Sequence, residues 1–304
     1  MQYRSLGTTG LTVSEIGFGC ASWWGQAAYS EAEAVCLVHH ALDQGVNVFD
    51  TSPAYSGGNA EPRLGRALKG LDVTKLVIAT KAGTRFERGR VRRDMSLEAL
   101  ENDILRSLKV LGLETLPVLQ LHGPAIEELT AEFQEGLLRF KQRGLVQALG
   151  ANSFDPAVLE AVIVSPVFDV VMMDFNVLRP ERKALAASAF AAGKGVLAGM
   201  PLAMGHTRLQ VLNLRGLRDL WYSARALKNH RRDVLDGVRF RFLDDQDGMS
   251  GAQAALAYVL GHPEVSCAIV GTTRMAHLVE DLAASGMVLP PSLALQIAEA
   301  QRSR

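Results

Sequence analysis

Four polar side chains stand at the ends of three predicted strands, and their types suit proton transfer. Asp50 ends a short apolar strand, and Tyr55 follows five residues later in a loop rich in serine, proline and glycine. Lys81 directly follows a second apolar strand, and His122 directly follows a third. A carboxyl, a phenol, an ammonium and an imidazole can give, take and orient protons if the fold brings these three strand ends together.

The elements around these residues alternate between strand and helix along the chain. Short apolar runs predict eight strands, and apolar residues at steps of three and four predict helices between most of them. The predicted strands lie near residues 16–19, 46–50, 76–80, 118–121, 145–151, 168–175, 195–198 and 266–270. Strands that alternate with helices form a parallel sheet, and eight such units close into a barrel whose chemistry gathers at the carboxyl ends of the strands.

The predicted fold class is therefore α/β: a (β/α)8 TIM barrel with an N-terminal β-hairpin and a long loop after strand 7. No linker divides the sequence, so we expect residues 1–304 to form one barrel domain. The runner-up is an open, doubly wound sheet, whose dinucleotide-binding loop carries three glycines after the first strand. Gly17-Phe18-Gly19 is not followed by a third glycine at the required spacing, which favours the barrel.

Composition limits the partners and the compartment. The 32 basic residues balance the 32 acidic ones, so no overall charge favours nucleic acid or an acidic membrane surface. Cys20, Cys36 and Cys267 lie in apolar patterns without zinc-site spacing, which predicts buried, reduced thiols and no metal. The sequence shows neither a signal peptide nor an apolar run of about 18 residues, so we expect a cytoplasmic protein that does not enter membranes.

The ordered motifs of this sequence resemble those of the aldo-keto reductases over nearly the whole chain. They are the opening hairpin, Gly17-Phe18-Gly19, FDTSPAY at 49–55 with Glu61 and Leu64-Gly65 after it, ATK at 79–81, LQLHGP at 119–124, LGANSF at 149–154 and IVGTTR at 269–274. The resemblance implies an NAD(P)H-dependent oxidoreductase that reduces a small aldehyde or ketone to an alcohol.

The resemblance also implies a role for each of the four polar residues. Tyr55 would give a proton to the substrate oxygen, although a phenol with a pKa of about 10 is a weak acid. An ammonium about 4 Å away stabilises the phenolate by roughly 4 kcal/mol at an effective dielectric near 20, so Lys81 would lower the pKa of Tyr55. Asp50 would keep Lys81 charged and oriented. His122 would hydrogen-bond to the substrate oxygen as charge develops.

For the nicotinamide, the family uses polar residues after the fifth strand, which match Asn152 and Ser153 in reversed order. Both side chains can still bond to an amide. The family's glutamine on the sixth strand corresponds to Met172, and its stacking aromatic residue after the seventh corresponds to Gly199. We include Met172 among the cofactor-binding residues, together with Pro201 and Leu202 just after the seventh strand.

The far end of the cofactor would lie at Gly271-Thr272-Thr273-Arg274, directly before a predicted helix whose N-terminus favours phosphate. The family's phosphate-binding lysine and arginine positions hold Gly271 and His277, but Thr272 and Arg274 can contact a 2′-phosphate. Glu280 and Asp281 match an adenine-contacting Glu-Asn pair. We expect NADPH, and the sequence does not exclude NADH.

Residues 200–249 form an unusually long connection, a feature that often serves function. Its arginines include Arg208, Arg215, Arg218, Arg225, Arg231 and Arg232. They fit solvated helix faces or, alternatively, a lid over pyrophosphate or an anionic substrate. Trp221 and Tyr222 in this segment, and Trp23 and Trp24 after the first barrel strand, are candidate walls of the substrate pocket.

Two other functions fit the same residues. Lys81 could act as the nucleophile of a Schiff-base lyase. The changes at Met172 and Gly199 also fit a nicotinamide-binding regulatory subunit with little turnover. The pattern names neither the substrate nor the oligomeric state, because loops set them independently of the barrel.

Overall fold

The computed structural model describes residues 1–203 and 236–303, and it confirms the predicted barrel. The strands are β1 Tyr3–Ser5, β2 Thr12–Ser14, β3 Ile16–Gly19, β4 Val48–Asp50, β5 Val77–Ala82, β6 Thr84–Glu87, β7 Arg90–Arg93, β8 Leu116–His122, β9 Val146–Asn152, β10 Val170–Asp174, β11 Gly195–Gly199 and β12 Cys267–Val270. Eight of them pair in parallel and close in the order β10-β11-β12-β3-β4-β5-β8-β9. β1–β2 and β6–β7 are separate antiparallel hairpins.

The helices alternate with the barrel strands. Their bounds are α1 Glu31–Asp43, α2 Ala60–Leu68, α3 Leu97–Leu111, α4 Ala131–Gln142, α5 Pro156–Val164, α6 Arg182–Ala191, α7 Gly251–Leu260, α8 Met275–Leu282 and α9 Pro291–Arg302. Several begin at a side-chain cap, which satisfies an otherwise unpaired backbone N–H. Ser30 accepts from the Glu33 N–H, and Ser250 and Gln253 form the reciprocal capping box that the sequence predicts.

Inward-facing residues change from apolar to polar along the barrel strands. On β5 the alternation runs Val77, Ala79, Lys81, and on β8 it runs Val118, Gln120, His122. Because alternate residues of a strand share a face, the barrel floor is apolar and the polar groups lie toward the carboxyl ends. This single alternation places an ammonium and an imidazole at one mouth of the barrel.

The N-terminal hairpin β1–β2 packs against the other end of the barrel. Leu6 and Val13 are buried in one cluster with the inward residues Val48, Val77 and Val118, among others, and Leu11 packs against that cluster. The Thr8 N–H donates to the Gly193 carbonyl at 2.9 Å, just before β11. The hairpin therefore covers the apolar amino end, opposite the polar mouth.

The structure adds elements and makes one correction. The hairpin β6–β7, the helix α5 and the helix α9 were not among the predicted elements. Cys20 and Cys267 are buried and all three thiols are free, but Cys36 is exposed, so the prediction of three buried thiols was wrong for Cys36. That residue lies on the solvent side of α1, beside the inward-facing Leu37 and Val38. Within residues 1–203 and 236–303, no helix has the length and apolarity of a membrane span.

Candidate active site

An ion pair lies at the centre of the barrel mouth. The Lys81 Nζ donates to both carboxylate oxygens of Asp50, at 2.6 and 2.8 Å, and to the Thr51 carbonyl at 3.0 Å. Lys81 is 0% exposed, and Asp50 is also buried. Adjacent strands set this contact, because β4 and β5 are neighbours whose carboxyl ends lie side by side. A buried charge requires such a partner.

The contacts of Lys81 keep it protonated. Burial, the largest effect, acts to lower the pKa of the Lys81 ammonium, but the Asp50 carboxylate and the Tyr55 hydroxyl outweigh it, and the pKa is raised. The pKa of the Asp50 carboxyl is raised because burial outweighs the lowering effects of Lys81 and of a hydrogen bond from Gln120. The Asp50 carboxylate and the Thr51 carbonyl accept hydrogen bonds from the Lys81 ammonium, which favours its charged form.

Tyr55 lies within reach of this ammonium. The Lys81 Nζ is 4.8 Å from the centroid of the Tyr55 ring, and the nearby Tyr55 hydroxyl helps to raise the pKa of the Lys81 ammonium. The tyrosine begins a short 3₁₀ turn, Tyr55–Gly58, and its N–H donates to the Ser52 carbonyl at 3.1 Å. The loop after β4 therefore folds back so that the phenol lies beside the ammonium.

His122 completes the group of four. Its ring meets the Tyr55 ring edge to face, with centroids 5.5 Å apart. Burial, followed by the nearby Lys81 charge, lowers the pKa of His122 from 6.5 to about 3, so the imidazole is neutral at physiological pH. The structure thus brings Asp50, Tyr55, Lys81 and His122 together from three barrel strands.

The hairpin β6–β7 connects the two loops that carry these rings. The Thr84 hydroxyl donates to the His122 carbonyl at 3.3 Å, and the Phe86 N–H donates to the Pro53 carbonyl at 3.2 Å. Phe86 also packs against the glycine pair that follows Tyr55. Both bonds come from β6, so this strand borders the barrel mouth.

The residues predicted for the nicotinamide lie beside this group. Asn152 ends β9, where it is the register partner of both His122 and Met172. The Ser153 Oγ accepts from the Asp155 N–H at 3.1 Å and retains its own hydrogen for another partner. At Gly199, an added Cβ would lie 3.1 Å from the Met172 Cε. The methionine therefore takes up part of the space that a side chain at Gly199 would need.

The other predicted cofactor residues lie on the loops after β11 and β12. Pro201 is buried and Leu202 is half-buried in the turn that follows β11. Gly271 and Thr272 follow β12, and an added Cβ at Gly271 would lie 3.3 Å from the carbonyl oxygen of Gly19. Arg274 directly precedes α8. His277, Glu280 and Asp281 lie within α8, where Asp281 is 3% exposed and the other two are half-buried.

The predicted pocket aromatics have different surroundings. Trp24 is 1% exposed, packs edge to face on Phe18 at 6.0 Å and donates to the Ala34 carbonyl, which places it in the core rather than on a pocket wall. Trp23 is half-buried in the same 3₁₀ turn. Trp221, Tyr222 and the six named arginines lie outside the described residues.

Three residues of the site were not singled out from the sequence. The Gln120 amide donates to the Asp50 Oδ1 at 3.2 Å, the Ser52 Oγ lies 3.2 Å from the His122 Nδ1, and Thr84 bonds to the His122 carbonyl. Gln120 and Ser52 are buried polar residues in apolar surroundings. Such residues usually have a hydrogen-bonding role; in the sequence this signal is present for Gln120, a polar residue within an apolar run, but not for Ser52, which lies in a polar loop.

Comparison with known proteins assigns the family. The family model "Aldo/keto reductase family" matches residues 15–302. L-galactose dehydrogenase from Arabidopsis thaliana is 30% identical over 93% of this chain and 88% of its own. A putative voltage-gated potassium channel subunit beta from Schizosaccharomyces pombe is 26% identical over 98% of this chain and 92% of its own. The holo form of aldo-keto reductase AKR11C1 from Bacillus halodurans superposes with a TM-score of 0.82 at 26% identity, over 99% of this chain and 96% of that one.

Proposed function

This chain belongs to the aldo/keto reductase family of NAD(P)H-dependent oxidoreductases, and we propose that it reduces a small aldehyde or ketone to the alcohol with Tyr55 as proton donor. The observation that carries the proposal is the contact between the Tyr55 hydroxyl and the buried Lys81 ammonium. A phenol can act as an acid only if the phenolate that it leaves is stabilised, and a neighbouring ammonium does this.

Each of the four residues has a different role in the transfer of a proton to the substrate oxygen. Tyr55 donates its proton as negative charge develops on that oxygen, and Lys81 stabilises the phenolate. Asp50 holds the ammonium in place through two short hydrogen bonds. His122 is neutral, so it can donate a hydrogen bond to the same oxygen without competing as a charged acid.

The residues next to this group fit a nicotinamide dinucleotide. Asn152 and Ser153 can hydrogen-bond to the carboxamide, and Met172 beside Gly199 offers an apolar surface for the ring. When bound, the reduced nicotinamide supplies the hydride to the carbonyl carbon. Pro201, Leu202 and the segment from Gly271 to Asp281 would hold the rest of the dinucleotide.

We expect NADPH rather than NADH. Arg274 stands directly before α8, where helix N–H groups and a guanidinium favour a 2′-phosphate. Titration of the protein with each cofactor, followed by energy transfer from tryptophan to the reduced nicotinamide, measures the preference. Arg274→Gln is expected to weaken NADPH binding and to leave NADH binding within about twofold. Equal losses for both cofactors would contradict a 2′-phosphate contact.

The same geometry weakens the case for a Schiff-base lyase. A lysine nucleophile must be neutral, but the contacts of Lys81 raise its pKa. Borohydride trapping of a carbonyl compound on Lys81 is therefore expected to fail. A covalent adduct on this residue would favour the lyase.

The proposal is tested by turnover of a broad aldehyde and ketone panel, followed by the near-ultraviolet absorbance of the reduced cofactor. Tyr55→Phe is expected to lower kcat by about 10²–10⁴, the usual contribution of a positioned acid, while cofactor binding persists. Tyr3→Phe is the matched control, since the Tyr3 hydroxyl bonds to the Gly45 carbonyl in the N-terminal part of the chain.

Two outcomes of this test would reject the proposal. Activity of Tyr55→Phe within a few fold of the unchanged protein would exclude the phenol as the acid. A protein that binds cofactor tightly but oxidises none of it, even in a single turnover, would favour the regulatory-subunit alternative. One relative is a putative channel beta subunit, so this outcome is a real alternative.

We further propose that residues 1–304 act as one domain and that the protein works in the cytoplasm. The family match over residues 15–302 supports the first point, and three cysteines without a disulfide support the second.

A further inference from the structure

Ser52 is a buried serine that contacts the His122 ring. It is not one of the four residues to which the proposed function gives a role. Its Oγ lies 3.2 Å from the His122 Nδ1, and the serine is 0% exposed. It belongs to the loop directly after β4, three residues before Tyr55. A buried hydroxyl beside one nitrogen of an imidazole can decide which of the two nitrogens carries the hydrogen.

The partners of the Ser52 hydroxyl determine the direction of its hydrogen bond to His122. Its oxygen already accepts from the Ala54 N–H at 3.1 Å. A serine hydroxyl has one hydrogen to donate, and a buried hydrogen without an acceptor is costly. Within residues 1–203 and 236–303, His122 Nδ1 is the remaining hydrogen-bond partner of this oxygen. The serine therefore donates, and Nδ1 accepts.

We propose that Ser52 is a positioning residue that holds His122 in the tautomer with its hydrogen on Nε2. A neutral imidazole has one N–H, so a hydrogen bond accepted at Nδ1 leaves the hydrogen on Nε2. The neutral state follows from the burial of the ring and the adjacent Lys81 ammonium. The Nε2–H lies across the ring from Ser52, and within residues 1–203 and 236–303 it has no hydrogen-bond acceptor, so it can donate to a ligand.

The purpose of this tautomer rests on the proposed function, but the measurement of the tautomer does not. In a carbonyl reductase the Nε2–H would donate to the substrate oxygen, whereas the other tautomer would present a lone pair to an oxygen of growing negative charge. The tautomer itself is a property of the protein without substrate. Its measurement can therefore succeed or fail independently of any reductase activity.

The experiment is nitrogen-15 NMR of the protein with labelled histidine, in which the two ring nitrogens of each tautomer have distinct shifts. His122→Gln identifies the signals of His122. The expected result is a pyridine-like Nδ1 and a protonated Nε2 that stay unchanged from pH 6 to pH 8. A hydrogen on Nδ1 in the unchanged protein overturns the proposal without any serine variant.

Ser52→Ala and Ser52→Thr complete the test. Without the hydroxyl, the Nδ1–H tautomer is expected to become populated, and kcat is expected to fall by about tenfold with the KM for the carbonyl within about twofold, a partial loss of one oriented donor. Ser52→Thr retains the hydroxyl and should restore the original NMR pattern. An Ala variant with the unchanged tautomer would overturn the role of Ser52, even if its activity fell.

Discussion

Lys81 and Gln120 are register partners on adjacent barrel strands, and both donate to the same oxygen of Asp50. The distances are 2.6 Å from the ammonium and 3.2 Å from the amide. The carboxylate therefore has a second donor that carries no charge. The orientation of Asp50 therefore does not depend on the Lys81 ammonium alone.

The Gln120 contact can be tested with two substitutions of similar size. Gln120→Leu removes a hydrogen bond to a carboxylate but also removes Oε1, which has no partner among the described residues, so we expect a loss of only about 1 kcal/mol in unfolding free energy. Gln120→Glu adds a second buried acid next to Asp50, and we expect a larger loss at pH 7 than at pH 5. Urea unfolding at both pH values measures this. Equal losses for the two variants would contradict the contact.

The buried ion pair should show strong coupling in a double-mutant cycle. Lys81→Met leaves the Asp50 carboxylate buried without its ammonium, a change that typically costs about 3–5 kcal/mol. Asp50→Asn in the same chain removes the stranded charge, so the double variant should be far more stable than the sum of the single losses implies. Unfolding in urea measures all four proteins.

The exposed ion pair between Arg143 and Glu101 is the control for this cycle, with a distance of 2.7 Å. Exposed pairs of this kind are screened by water and salt, so we expect little coupling there. Additive losses at Lys81 and Asp50 would show that the two groups do not depend on each other, contrary to the structure.

His122 should make the protein less stable in acid. Its folded pKa of about 3 lies below the ordinary value of 6.5, so the unfolded chain binds the proton more readily. Above pH 6.5 the imidazole is neutral in both the folded and the unfolded protein, and the free energy of unfolding is not reduced. As the pH falls from 6.5 toward 3, the free energy of unfolding decreases by roughly 1.4 kcal/mol per pH unit. His122→Gln is expected to flatten this part of the stability profile, measured by urea unfolding from pH 7 to pH 4.

A second histidine provides the comparison for that profile. His262, whose pKa burial also lowers, is replaced in His262→Gln, which should likewise flatten the stability profile below pH 6.5. A His122→Gln variant with the same slope as the unchanged protein would mean that the ring is charged in the folded state.

Two glycines of the N-terminal hairpin give a matched test of how that hairpin packs. Gly7 and Gly10 both have a positive φ, at 54° and 79°, so alanine is strained at either position. A Cβ at Gly7 would also lie 2.3 Å from the Gly195 N, whereas at Gly10 nothing lies within 4 Å. Gly10→Ala should cost about 1 kcal/mol and Gly7→Ala at least about 2 kcal/mol more in thermal or urea unfolding. Equal costs would contradict close packing of the hairpin on β11.

The barrel was predictable because its signals are local. Each barrel strand is a short apolar run with a polar residue or glycine at or next to its carboxyl end, and the alternation on β5 and β8 alone places Lys81 and His122 at the same end. The four residues could be grouped from the sequence because parallel strands bring their carboxyl ends together.

The elements absent from the prediction had weaker local signals. In β6–β7, five arginines between residues 84 and 93 obscure the alternation of Phe86 and Val91 around the turn at Gly89. The run Ala157–Val164 is almost continuously apolar and lacks helical periodicity, although Asp155 before Pro156 is a helix-start signal. Strand register and loop folding decide what Gln120 and Ser52 touch, and neither can be read from spacing alone.

The tip of the arginine-rich hairpin β6–β7 can be changed separately from the proton-transfer residues at the barrel mouth. Thr84 and the Phe86 backbone, both on β6, connect it to the histidine strand and the tyrosine loop, whereas residues 87–90 at its tip make neither of these bonds. Tip sequences can therefore be exchanged in a library that screens for new substrates. The groups that handle the proton should keep their spacing throughout such a library.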